Sequence, residues 1–307
     1  MTHVTIHPAH EAQSVSELAN FDRRWLQKRS LVSMVLTGIV IGLTFIAVVP
    51  LFSILAMLLY RGVSHLTWEA FRSLPPAAFE EGGGFGNAIV GTLVMVAMAT
   101  SVSGPLGILG AIYLSEIGKQ SRLANCLRLC AKTLNGLPSI LAGVFIYGVV
   151  VLGSGGFSAF AGAMALSLLM VPTILLVSEE ALRGVSSQVK EAAIAMGATR
   201  TQVILKVILP SAFPGILTGV MLAIARAAGE TAPLLFTALF SNYWILQGNR
   251  VSLTQPTASL SVLIYNFSGS PFENQVHMAW SASLVLVLLV LTTNLIGKSF
   301  SRQRLPR

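Results

Sequence analysis

Charge is what this sequence has least of. Only 10% of its 307 residues are Asp, Glu, Lys or Arg, against about a quarter in a soluble domain, while 54% are hydrophobic and the mean hydropathy is +0.75. A freely soluble globular protein is excluded, and an integral membrane protein remains. Cysteine is scarce too. Cys126 and Cys130 are the only two, too few for a four-ligand structural zinc site. His3, His7 and His10 precede or flank Pro8 in a polar terminus, where Pro8 argues against a helix that would gather them, so no metal site is expected. Catalytic constellations are missing as well. No Ser/His/Asp, HExxH or paired-carboxylate arrangement occupies the apolar runs, which weighs against a membrane-embedded hydrolase. Gly86 to Thr92 (GNAIVGT) approximates a phosphate-loop spacing but lacks the Lys and follows no strand, so no nucleotide site is expected.

Long apolar runs are abundant instead. A helix needs about 20 apolar residues to cross the hydrocarbon layer, and the runs place six spans near Leu31 to Tyr60, Ala88 to Leu114, Thr133 to Leu152, Phe157 to Ser178, Ser211 to Phe240 and His277 to Ile296. The first is over-long, so it must tilt, kink near Pro50 or project beyond the bilayer. It also exceeds the apolar core of an export signal and reads as an uncleaved span. The organisation expected is an N-terminal tail over 1–30, a six-helix bundle over 31–297 and a basic tail over 298–307, with a structured loop at about 179–210 and an outer loop at about 241–276. Gly38 with Gly42, and Gly215 with Gly219, have the spacing that lets helices approach closely in lipid.

The basic residues are distributed unevenly about these spans. Of the twenty, four lie in each of the segments 23–29, 119–132, 183–206 and 298–307, sixteen in all and on one side. Arg61, Arg72 and Arg250 lie on the other, and Arg226 within a span. Both termini are therefore expected in the cytoplasm. The net charge of +8 then reflects topology and anionic lipid, and no nucleic-acid partner is needed.

Arg226 breaks the pattern. It stands in ARAAGETAPLLF with Glu230 four residues on, so the two share a helix face and can pair. An ionised side chain at the centre of a span costs about 2.5–3.5 kcal/mol to insert and ordinarily faces the bundle interior. Pro233 removes a backbone donor and crowds the carbonyl of Gly229, so the helix is expected to loosen at the turn that carries Glu230 and Thr231. Two readings stay open. Arg226, Glu230 and Thr231 line a path for an anion, to which guanidinium offers paired hydrogen bonds, or Arg226 and Glu230 form a structural pair.

The loop after the fourth span, EEALRGVSSQVKEAAIAMGATRTQVILKVILP, is too structured for a plain connection. One short helix is expected from about Gln188 to Met196, capped by Ser187 and ended by a left-handed Gly197. A second opens at Thr199 and Gln202 in capping-box spacing and closes at Pro210. The slim face of Ala192, Ala193 and Ala195 suits entry into a groove on another protein; an amphipathic hairpin on the lipid surface is the alternative.

At their spacing, Glu191-Ala192-Ala193, Gly197 and Leu209-Pro210 resemble the EAA loop of binding-protein-dependent ABC importer permeases, with Val207 where the family usually has Ile. ARAAGETAPLLFTALF, QPTASLSVLIYNF and SPFEN are similar to permeases of the phosphate-specific transport system, PstA type, and NGLPSILAGVF to a segment shared by the PstA and PstC types. Ser186 stands where many relatives have Pro. The resemblance implies an all-α, methionine-importer-like permease fold in the bacterial inner membrane. It also implies a non-catalytic subunit for inorganic phosphate that docks through Glu191, Ala192, Ala193, Gly197, Val207, Leu209 and Pro210 onto a separate ATPase. The implied partners are a PstC-like permease, two copies of a PstB-like ATPase that uses ATP and Mg, and a PstS-like periplasmic phosphate-binding protein. No cofactor is expected on this chain. A permease for another oxyanion is the near alternative. An ion-coupled secondary transporter would share the intramembrane charges, but it would show inverted repeats and need no docking loop.

Overall fold

The computed structural model describes residues 8–247 and 250–302, with side chains over 30–246 and 251–299. The chain divides into two units, Met1–Met57 and Leu58–Arg307.

Helix α1 (Pro8–Ser64) belongs to both and runs through Pro50 without interruption. It starts at Pro8, where in a first turn the missing N–H has no helical partner to lose. His3 and His7 lie outside the described residues. Within the first unit, a Cβ at Gly38 or Gly42 would meet nothing within 4 Å, so that pair makes no close approach there.

In the second unit the chain continues with α2 (Gly86–Ile112), α3 (Arg122–Gly136), α4 (Ser139–Ile146) and α5 (Ala159–Arg183). Next come α6 (Ser187–Ala195), α7 (Arg200–Val203), α8 (Leu209–Gly229), α9 (Ala232–Leu235), α10 (Leu260–Ser268) and α11 (Glu273–Arg302). Among the described residues, five helical stretches are long and apolar enough to cross a membrane, and a sixth qualifies only as the bent pair 122–136 with 139–154. The third expected span is thereby corrected. Pro138 holds the preceding Leu137 in extended backbone (φ −73°, ψ 144°), because a residue before proline is driven out of the helical region. The two halves meet at 104°, and Thr133 to Gly136 belong to the amphipathic α3.

The main core lies where α2, α5, α8 and α9 meet, around Met95, Ala99, Leu166, Met170, Ile174, Ala223 and Leu234. In lipid, apolar burial does little to hold helices together, so close packing of small residues must. Gly215 and Gly219 of α8 face Ala181 and Val177 of α5, where a Cβ would come within 2.5 and 3.0 Å. At one end of the bundle, Gly82 and Gly83 take left-handed backbone (φ 81° and 83°), and Gly84 and Gly86 pack against the carbonyls of Ala70 and Phe71. Asn87 then ties the first turn of α2 to the segment after α9, donating from Nδ2 to the carbonyls of Ser241 (3.0 Å) and Tyr243 (3.3 Å).

At the opposite end of the bundle, Glu179 of α5 accepts from Arg128 Nε of α3 at 2.7 Å and pairs with Arg183 at 2.7 Å. Arg128 also donates from Nη2 to the Leu114 carbonyl (2.8 Å) and from Nη1 to Asn125 (2.8 Å). This carboxylate fastens α3 to the end of α5.

Candidate functional site

The fifth span does more than loosen. Helix α8 stops at Gly229, Glu230 is extended (φ −71°, ψ 126°), and α9 starts afresh at Ala232 with Pro233 in its first turn. Pro233 has no N–H for the Gly229 carbonyl and its ring crowds that oxygen, so the break falls three residues before the proline. Two carbonyls at the break find partners, as lipid demands of exposed backbone. The Glu230 carbonyl accepts from Ser261 Oγ of α10 (2.8 Å), and the Thr231 carbonyl accepts from the N–H groups of Leu234 and Leu235 (3.1 and 3.2 Å).

Arg226 spans this break. Its Nε donates to Glu230 Oε1 (3.2 Å) and its Nη1 to Asn135 Oδ1 (3.1 Å). Thr173 Oγ1 of α5 donates to the same Asn135 oxygen (3.2 Å), so one amide oxygen collects two donors and holds the guanidinium against α3 and α5. Neither contact uses Arg226 Nη2. With the Arg226 side chain 40% exposed and Glu230 15%, the pair leaves a half-open cation beside a helix break.

Asn135, Thr173 and Ser261 were not singled out from the sequence. Small polar residues in apolar runs commonly bond their own helix; the position of Asn135 just before Gly136-Leu137-Pro138 was the one available hint. A fourth contributor is steric. A Cβ on Gly143 of α4 would sit 2.6 Å from Pro233 Cα, so only glycine lets α4 lie against the break. Gly143→Ala is expected to displace Pro233, destabilising the protein by roughly 1–3 kcal/mol as an overpacked contact does, seen as a lower melting temperature, and to impair transport. Gly148→Ala, where a Cβ meets nothing within 4 Å, is the control and should do neither in parallel melting and uptake measurements.

The loop at 179–210 holds the two expected helices. Gly197 takes φ +85°, and both capping-box bonds are made, Thr199 N–H to Gln202 Oε1 (2.9 Å) and Gln202 N–H to Thr199 Oγ1 (3.4 Å). Two details differ from expectation. The cap position of α6 is Ser186 and makes no side-chain cap bond. Pro210 does not close the second helix: a wide π-helical turn, Ile204–Ile208, leads straight into α8 with Pro210 in its first turn, where a missing N–H is harmless. Helix α6 presents Glu191, Ala192 and Ala195 outward, with Val189 and Met196 exposed beside them. Ala193 is turned inward and buried, and Val207 packs against the same cluster. Leu209 is half-buried and Pro210 exposed.

The chain as a whole is similar to known proteins. The chain belongs to the binding-protein-dependent transport permeases: residues 103–305 match the family described as "Binding-protein-dependent transport system inner membrane component". It is 40% identical over 238 residues to the phosphate transport system permease protein PstA of Yersinia pestis, covering 78% of this chain and 79% of that one. It is 37% identical over 270 residues to the protein of the same name from Haemophilus influenzae, covering 87% and 94%. Within the family, it is thus a member of the PstA branch. In fold it is similar to a chain of the MetNI methionine ABC transporter (TM-score 0.56, 22% identity, 72% of this chain and 97% of that one). A chain of a bacterial alginate ABC transporter is similar too (TM-score 0.57, 18% identity, 93% and 96%). Permeases of this family are non-catalytic, multi-pass inner-membrane subunits that bind no cofactor themselves and associate with a separate ATPase and a substrate-binding protein.

Proposed function

We propose that this chain forms half of the translocation pore of an ATP-driven importer of inorganic phosphate, with both termini in the cytoplasm. A PstC-like permease supplies the other half. Two PstB-like ATPase copies, hydrolysing ATP with Mg, bind below the pore, one of them docking on α6, and a PstS-like protein delivers phosphate to the outer face. The observation that carries this reading is Arg226, a cation with Nη2 uncommitted, held at a break in a membrane span by Glu230 and Asn135. Guanidinium is suited to phosphate oxygens, and the neighbouring Glu230 carboxylate keeps the anion from being held too tightly, so that the site is a waypoint. Thr231 adds a hydroxyl at the same turn. Two relatives named for phosphate transport, each covered over more than three-quarters of its length, support the choice of cargo.

The docking half of the proposal is tested in vesicles that hold the whole assembly. Glu191 lies on the exposed face of α6, and Gly197 has a φ of +85° that a side chain adopts only at a cost of roughly 1–2 kcal/mol. Glu191→Arg combined with Gly197→Val is expected to release the ATPase in mild detergent and to reduce ATP-dependent phosphate uptake to background. An ATPase that stays bound, with uptake unchanged, would remove α6 as the docking element.

A further inference from the structure

Helix α6 is joined by the chain to two membrane spans, to α5 through Gly184 to Ser186 and to α8 through the Gly197 turn, α7 and the π turn. To the second span it has no such connection. Its polar contact there is Lys190 Nζ on Glu116 Oε1 at 2.7 Å, with the two side chains only 15% and 10% exposed. Glu116 sits in another wide π-helical turn, Tyr113–Ile117, which ends α2. Three residues on from Lys190, Ala193 is buried in a cluster that includes Ala111 of α2. The inner face of α6 therefore shares an apolar cluster with the second span and meets it through one sheltered ion pair.

We infer that the Lys190–Glu116 pair is the link through which movement of the docking helix reaches the second span, both residues acting as positioning residues. The inference rests on the docking role proposed for α6. An apolar cluster resists being pushed, but dispersion contacts are individually weak and do little to oppose separation. A sheltered ion pair resists separation as well, because parting it leaves two poorly solvated charges without partners. Stability alone is a weak reason for such a pair, since apolar residues of similar volume often serve as well or better. Helix α2 packs with α5 and α8 around Met95, Ala99, Ile174 and Ala223. A displacement delivered at Glu116 thus reaches the core against which the Arg226 helix rests.

The test uses proteoliposomes that hold the complete assembly, with Lys190→Met, Glu116→Gln, Lys190→Arg and the exchange Lys190→Glu with Glu116→Lys. Bound ATPase, ATP hydrolysed and phosphate imported per ATP are measured for each. Both neutralised variants should keep a bound, active ATPase while phosphate per ATP falls about tenfold, the size of a typical coupling between sites. Lys190→Arg, which keeps the charge, should stay near wild type, and the exchange should recover much of the loss. Wild-type phosphate per ATP in the neutralised variants would overturn the inference. So would loss of the ATPase from them, which would make the pair a mere support for the docking surface. If the exchange does not assemble, Lys190→Arg decides, and uncoupling there as deep as in Lys190→Met also overturns it. Failure of the docking role shows separately, as an ATPase that remains bound to the Glu191→Arg, Gly197→Val variant.

Discussion

Replacing Arg226 with Gln is expected to lower ATP-dependent phosphate uptake about a hundredfold, while the assembly persists and still hydrolyses ATP. A hydrogen bond to a charged group contributes about 1.5–3 kcal/mol, so loss of a paired contact to a phosphate removes about 3 kcal/mol, or about a hundredfold in an equilibrium. The structural role of the side chain is small by comparison. Arg226 is 40% exposed and Glu230 15%, paired at 3.2 Å, so the pair is worth less than a fully buried one, where loss of a partner costs about 3–5 kcal/mol. Function and abundance should therefore separate. Vesicles made with the complete assembly give uptake, complex abundance and ATPase activity from one preparation. An assembly that falls apart would make the pair with Glu230 structural, and normal uptake would remove both roles. Arg226→Lys keeps the charge and loses the planar fork, so its uptake should lie between those of Gln and the wild type.

Glu179→Ala is expected to produce the largest loss of stability. The Glu179 and Arg128 side chains are 7% and 16% exposed, and removing one partner of a buried pair costs about 3–5 kcal/mol because the other is left uncompensated. Arg128 would keep its bond to the Leu114 carbonyl (2.8 Å) but lose its carboxylate partner, so the lower end of that range applies. Arg183 contacts the same Glu179 oxygen but is 50% exposed, and Arg183→Ala should cost less than about 1 kcal/mol. Thermal melting in detergent distinguishes the two. A large drop for Glu179→Ala with a small one for Arg183→Ala supports the tie between α3 and α5, and equal drops would refute it.

Local signals in the sequence were mostly trustworthy. Gly197 and the Thr199–Gln202 box set their backbone through neighbours within three residues, which makes them legible without a fold. The uninterrupted spans follow from the lengths of their apolar runs. The third span misled because averaged hydropathy does not register the restriction that Pro138 places on Leu137. Pro210 misled in the opposite sense: a proline that ends one helix and a proline in the first turn of the next look alike in a sequence.

The sequence alone determined the solvent of this protein, its succession of spans, and the placing of two opposite charges one helix turn apart beside a proline. Those properties follow from composition and from steric rules that act over a few residues. Only the tertiary structure decided what the charges would meet. Asn135 lies 91 residues from Arg226, Ser261 lies 31 residues from Glu230, and Glu116 lies 74 residues from Lys190. Small polar side chains in an apolar run can satisfy themselves on their own helix or on another. The choice rests on which helices pack close enough to touch, and glycines such as Gly143, Gly215 and Gly219 allow that approach by leaving no side chain in the way.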